Sequence, residues 1–221
     1  MNIVVIGGGP AGLYFAILAK KAWPHHSVDV YERNRSDDTF GFGVVFSDET
    51  LDQFRAYDEV TYQAITAEFA YWDEIDFVFH GETIRTAGHG FCGCSRVELL
   101  LILQRRCRDL GVEMHFEKEV TDPGCFRDAD LVVGADGINS QVRATYSDHF
   151  RPSLKMRRNQ FIWLGSTKPY DAFTFDFTTD EHGIWVLGAY QYNSRMSTWV
   201  VEAPEVTWAN ARSDVKHLGE A

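Results

Sequence analysis

Gly7-Gly8-Gly9-Pro10-Ala11-Gly12 is the stretch that decides the fold. Before it stands Asn2-Ile3-Val4-Val5-Ile6, a short β-branched run bounded by glycines, which reads as a buried strand rather than a helix. After it an apolar pattern runs from Ala11 to about Ala22, with Leu13, Ile17 and Leu18 on one face. Lys20 and Lys21 fall in the last turn, where cations suit the helix dipole, and Pro24 closes the helix. Val28, Val30 and Tyr31 then alternate as a second strand that ends at Glu32, 20 residues beyond Gly12. Strand, Gly-x-Gly-x-x-Gly turn, helix, strand and acid in this order form the β-α-β unit of a dinucleotide fold, in the α/β class with a parallel, doubly wound sheet. Gly7 permits the tight turn, Gly9 lets the backbone approach a diphosphate, and Gly12 lets the helix pack closely on the strand. Pro10 and Ala11 open the helix whose free N–H groups bind the anion, and Glu32 accepts hydrogen bonds from an adenosine ribose. The motif by itself does not separate NAD from FAD.

Further along, residues 33–47 show no clear period and read as an ordered loop, with Gly41-Phe42-Gly43-Val44-Val45-Phe46-Ser47 at its end. Ser47 is placed to cap a short helix from Asp48 to about Tyr57, and strand-like pieces follow near 69–72, 76–79 and 83–86. These read as an inserted sheet at about 67–87. Ser95 with Glu98 is a capping box for a helix from about Arg96 to Leu110, which Gly111 stops. Residues 112–116 and 130–134 are further strands, the latter leading into Asp136-Gly137 and a helix near 140–146. Beyond residue 155 aromatic and β-branched runs at 160–167, 172–178, 183–191 and 196–202 predict an antiparallel sheet. The expected division is a Rossmann-like domain at 1–155 and a partial second domain at 156–221.

The chain has 221 residues, enough to bury a sizeable core. Its 45% hydrophobic and 24% charged residues are those of a packed globular protein, which excludes disorder and a coiled coil. A formal charge of −11, with no basic run longer than two residues, disfavours nucleic-acid and anionic-membrane partners. With no basic n-region or long apolar segment at the start, a cytoplasmic location is expected. Four irregularly spaced cysteines without Cys-x-x-Cys suit a reducing compartment. His80, His89, Cys92 and Cys94 lack a common zinc spacing, so no metal is expected. His182, Trp185, Tyr190 and Arg195 fall on the second sheet; sheet packing explains each at least as well as a substrate contact, and no catalytic residue is named.

Asp130-Leu-Val-Val-Gly-Ala-Asp136-Gly137-Ile-Asn-Ser140-Gln-Val-Arg143 gives the N-terminal motif its context. It resembles the Asp-Gly fingerprint of the group A FAD-dependent aromatic monooxygenases, in which Asp136 and Gly137 are implied to bind the FAD diphosphate region and help engage NADH or NADPH. Glu32-Arg33 resembles that family's acid and arginine at the end of strand two, and Arg96 with Leu99 its arginine helix near the ribityl and phosphate region. Residues 41–47 resemble the loop that lies along the isoalloxazine in one subgroup, which implies contacts from Gly43 and Val44. That subgroup includes salicylyl-CoA 5-hydroxylase, 2-aminobenzoyl-CoA monooxygenase and the tryptophan hydroxylase of violacein biosynthesis. Phe161 to Gly165 and Arg195 to Glu202 resemble its substrate-domain strands.

The resemblance implies hydroxylation of an electron-rich aromatic substrate, in one form an aromatic acyl-CoA, with FAD, NAD(P)H and molecular oxygen, via a flavin hydroperoxide. Two other readings use the same N-terminal unit: an FAD- or NAD-linked reductase without hydroxylase activity, and an inactive or cofactor-sensing remnant. The family's later Gly-Asp motif has no match after Glu202, so the expectation is an incomplete enzyme with an open cleft, weak or absent FAD, no turnover by residues 1–221 alone, and self-association into a homo-oligomer.

Overall fold

The computed structural model describes the backbone of residues 1–218 and the side chains of residues 1–212. The chain divides into two compact units that interleave in sequence. The first takes Met1–Phe40, Asp52–Ala67 and Val97–Leu154; the second takes Gly41–Leu51, Glu68–Arg96 and the described residues from Lys155 onward.

In the first unit, β1 (Asn2–Ile6), β2 (Ser27–Tyr31), β6 (Glu113–His115) and β7 (Leu131–Gly134) form a wholly parallel sheet in the order β6-β2-β1-β7. β1 is central and its Ile3, Val4, Val5 and Ile6 are all buried, as a strand with two neighbours and covered faces requires. α1 (Pro10–Ala22) returns the chain to β2 and buries Leu13, Ala16, Ile17 and Ala19. Pro10 suits its first turn because the N–H that proline lacks has no partner there in any helix. α4 (Arg96–Asp109) buries Leu99, Leu100, Ile102, Leu103, Gln104 and Cys107.

α3 (Glu59–Thr66), which the sequence reading lacks, is capped by Asp58. The Asp58 side chain is 1% exposed and ion-paired twice, with Lys21 of α1 at 2.8 Å and Arg106 of α4 at 2.9 Å. Arg106 donates from Nε and Nη2 to the two carboxylate oxygens, each at 2.9 Å, and the Thr61 hydroxyl donates at 2.6 Å. Burial alone raises the Asp58 carboxyl; the hydrogen bonds from Arg106, Lys21 and Thr61 outweigh it and hold the group well below the usual carboxylate range.

The second unit is one seven-stranded sheet in the order β3-β5-β4-β9-β10-β11-β8. Its strands are β3 (Gly43–Ser47), β4 (Ala70–Phe79), β5 (Glu82–Ser95), β8 (Asn159–Ser166), β9 (Phe173–Asp180), β10 (Gly183–Gln191) and β11 (Ser197–Pro204). Every pairing is antiparallel except β4 with β9. Two sequence expectations change here. Residues 43–47 are not loop but strand, because Gly43 to Ser47 pair in register with Ser95 to Phe91 of β5. The strands read as an insertion in the first domain join those after residue 155, because Ile75 to Phe79 pair with Phe173 to Phe177. The boundary is therefore not one cut near residue 155, and the expected domain end at 219–221 lies outside the described residues. α2 (Asp48–Tyr57) begins where expected, with the Ser47 hydroxyl accepting from the Thr50 N–H at 3.3 Å. α5 (Gln141–Thr145) and α6 (Ser147–Phe150) follow β7, and α7 (Glu205–Leu218) follows β11. No helix among the described residues is long and apolar enough to cross a membrane.

Candidate functional site: a dinucleotide crevice

The chain passes from β1 to β2 to β6 on one side of the sheet and then adds β7 on the other side of β1. The switch point of this doubly wound sheet thus lies between β1 and β7, and ligands of such sheets bind outside the carboxyl ends of the strands at that point. The glycine turn leaves β1 there. Gly7 donates its N–H to the Tyr31 carbonyl at 2.8 Å, and Ala135 donates to the Ile6 carbonyl at 2.7 Å, so the ends of β1, β2 and β7 are tied together.

The three motif glycines are required for different reasons. Gly7 has φ +113°, and a Cβ there meets the Ala135 oxygen at 2.2 Å. A Cβ on Gly12 meets the Gly7 oxygen at 2.0 Å. Both are fixed by the protein's own packing. Gly9 has φ −72° and ψ 177°, which any residue adopts, and a Cβ there meets nothing within 4 Å. Neither the backbone nor the packing asks for glycine at residue 9, and the turn is open on that flank. Gly9 is also the N-cap of α1, where no side chain caps the helix and the dipole favours an anion. The residues fit a dinucleotide diphosphate.

Glu32 lies across the turn. Its Oε2 accepts the Gly8 N–H at 2.7 Å and its Oε1 accepts the Asn34 N–H at 2.8 Å, which locks the carboxylate beside the glycines. Each oxygen keeps a second lone pair for a ribose hydroxyl. Arg33 follows on the surface, and beyond it a pocket of about 360 Å³ is lined by Arg35, Ser36, Asp37, Phe116 and Glu117.

Asp136 turns back on its own chain. Its Oδ1 accepts from the Ser140 hydroxyl at 2.6 Å, and its Oδ2 accepts from the N–H groups of Gln141 at 2.6 Å and Val142 at 3.2 Å. Burial raises this carboxyl, and those hydrogen bonds more than reverse the effect, so it is held below the usual range. Asp136 thereby fixes the turn in which Ala135 meets Gly7 and Gly137, at φ +82°, lies exposed.

Gly7, Gly9, Pro10, Ala11, Gly12, Glu32, Arg33, Asp136 and Gly137 are thus brought to the ends of three adjacent strands of one unit. Gly43, Val44 and Arg96 belong to the second unit, where Gly43 faces Ser95, Val44 faces Cys94, and the Arg96 N–H donates to the Phe42 carbonyl at 2.8 Å. Ala135 was missed as a site residue, because a backbone carbonyl that shapes a turn leaves no residue-type signal. The Cys92 and Cys107 thiols are buried, and burial pushes both up to about 12, which makes them packing groups rather than nucleophiles.

Residues 5–49 match the NAD(P)-binding Rossmann-like domain family. Over 97% of its length the chain is 44% identical to salicyloyl-CoA 5-hydroxylase of a Streptomyces species, covering 41% of that protein. Over 96% it is 32% identical to protodeoxyviolaceinate monooxygenase of Chromobacterium violaceum, covering 57%. Over 92% it is 32% identical to 3-hydroxy-4-methyl-anthranilyl-[aryl-carrier protein] 5-monooxygenase of Streptosporangium sibiricum, again covering 57%. The chain therefore spans about half the length of the curated relatives it matches. Among solved structures, 2-methyl-3-hydroxypyridine-5-carboxylic acid oxygenase superposes with a TM-score of 0.78 at 21% identity, over 92% of this chain and 58% of that one. A probable FAD-dependent monooxygenase from Pseudomonas aeruginosa superposes with a TM-score of 0.70 at 16% identity, over 99% and 62% respectively. Over the part of their length that it spans, the chain is similar to aromatic hydroxylases and monooxygenases, and it shares the fold of a probable FAD-dependent monooxygenase.

Proposed function

We propose that this chain carries the FAD crevice and part of the substrate sheet of a hydroxylase that acts on an electron-rich aromatic ring, uses NAD(P)H as reductant, and takes its substrate as an aryl thioester. The observation that supports the cofactor is the open flank of Gly9 at the capless start of α1. The substrate class rests on relatedness, since two of the three curated relatives are named for an aryl group on CoA or on a carrier protein.

In this reading the backbone of the Gly7–Gly12 turn, with Pro10 and Ala11 opening α1, receives the diphosphate. Glu32, with Arg33 beside it, holds the ribose, and the Asp136–Gly137 turn forms the facing wall. Arg96 is assigned to the ribityl and phosphate region, and Gly43 and Val44 to the flavin ring. Bound and reduced flavin supplies the activation of molecular oxygen; the chain's tasks are binding, orientation and the exclusion of water.

In any full-length form of the protein, Glu32→Ala is expected to weaken FAD binding about 10- to 100-fold, because a charged acceptor is worth about 1.5–3 kcal/mol. Unchanged affinity in a titration removes Glu32 from the ribose site. The substrate class is tested on the protein in its longest natural form, reconstituted with FAD. Salicylyl-CoA or 2-aminobenzoyl-CoA is expected to stimulate NAD(P)H oxidation, whereas no stimulation by either overturns the thioester assignment.

A further inference from the structure

The peptide of Gly43 is held from both sides by side chains that stand far from it in sequence. Its N–H donates to Thr198 Oγ1 at 2.9 Å, and its carbonyl accepts from the Tyr190 hydroxyl at 2.9 Å. Thr198 and Tyr190 face one another across β10 and β11. Tyr190 donates to the Gly43 carbonyl and Thr198 accepts from the Gly43 N–H, so two facing side chains hold both backbone polar groups of one residue.

Both attachments are sealed from water. Thr198 is 0% exposed and Tyr190 6%. A Cβ at Gly43 stands 2.8 Å from Thr198 Oγ1 and 2.7 Å from the Tyr192 ring, so only glycine brings its backbone this close. Burial raises the Tyr190 phenol, which keeps it protonated and able to donate. A strand that needed only to complete the sheet has its partner in β5, to which Gly43 to Ser47 are already paired. The second attachment, to β10 and β11, fixes where the start of that strand lies on the sheet.

We infer that Tyr190 and Thr198 are positioning residues for the cofactor: by holding the Gly43 peptide, they set the place of the Gly43–Val44 segment assigned to the flavin ring. This rests on the proposed FAD reading. It also ties the strands assigned to substrate to the segment assigned to cofactor through two buried hydrogen bonds.

The test is FAD titration of the protein in its longest natural form, as wild type and as Tyr190→Phe, Thr198→Val and Thr198→Ser, followed by amide shifts and the flavin absorption spectrum, with thermal melting and amide hydrogen exchange of residues 43–47 as companions. Tyr190→Phe and Thr198→Val each leave a buried polar group of Gly43 without its partner, and each is expected to weaken FAD about tenfold, shift the bound-flavin spectrum and speed exchange at residues 43–45. Thr198→Ser keeps the hydroxyl and is expected to restore all three. Variants that melt earlier but keep wild-type FAD affinity and spectrum overturn the positioning role and leave a structural one. Should Thr198→Val fold poorly, Tyr190→Phe, which removes a single oxygen, decides the matter alone. Wild-type protein in its longest natural form that shows no FAD binding overturns the cofactor reading and this inference with it, a result visible before any variant is made.

Discussion

Gly9→Val loses FAD binding by on the order of 100-fold or more, about 3 kcal/mol, while the protein melts within a degree or two of wild type. Both halves follow from the same geometry. The φ of −72° suits valine and its Cβ meets no protein atom within 4 Å, so the folded state loses little beyond the modest preference for glycine over valine at an N-cap. The branched side chain then occupies the room at the start of α1 where a diphosphate has to come close to the backbone. The neighbouring glycines behave in the opposite way. At Gly7 the φ of +113° and the Ala135 oxygen at 2.2 Å make any side chain a folding defect, and at Gly12 the Gly7 oxygen at 2.0 Å does the same. Binding titrations and melting curves on the three valine variants separate the roles; a Gly9→Val protein that binds FAD normally removes residue 9 from the crevice.

The second large effect is on stability. Asp58→Ala is expected to cost about 3–5 kcal/mol, because it leaves Arg106 and Lys21 facing a site without a counter-charge and strips α3 of its cap. For a chain of this size that corresponds to a fall in melting temperature of roughly 6–20 °C. The sign of the pH dependence follows from the lowered carboxyl. A group depressed in the folded state contributes fully above its unfolded value, about pH 4, and its contribution fades as pH falls toward the folded value. Wild type is thus expected to lose stability on acidification below about pH 4, and Asp58→Asn to start lower and fall less steeply. Equal slopes for the two proteins contradict the network.

The first unit was readable because its signals are local. Strand, glycine turn, helix and Glu32 lie within the first 32 residues, and each obeys a rule of spacing. The second unit was readable as strands but not as a sheet, since β4 finds its partner β9 across nearly a hundred residues and no periodicity encodes that pairing. The same distance hid the two side chains that hold Gly43, which lie 147 and 155 residues away. The missing α3 did have a local sign: Asp58 followed by Glu59 is a cap with an acid in the first turn. Asp136 shows the converse. Its residue type in an Asp-Gly context points outward to a cofactor, yet its carboxylate is used by Ser140, Gln141 and Val142, close enough in sequence for a cap to have been foreseen.

The central claim is that the carboxyl ends of β1, β2 and β7 form the FAD crevice, and the most direct test is the amide shift map of the isotopically labelled protein, in its longest natural form, during titration with FAD. Shifts that concentrate at Gly8–Leu13, at Glu32–Asn34 and at Ala135–Gly137, and that vanish in Gly9→Val, are the predicted result. An unchanged spectrum, or shifts centred elsewhere on the first unit, contradicts the account.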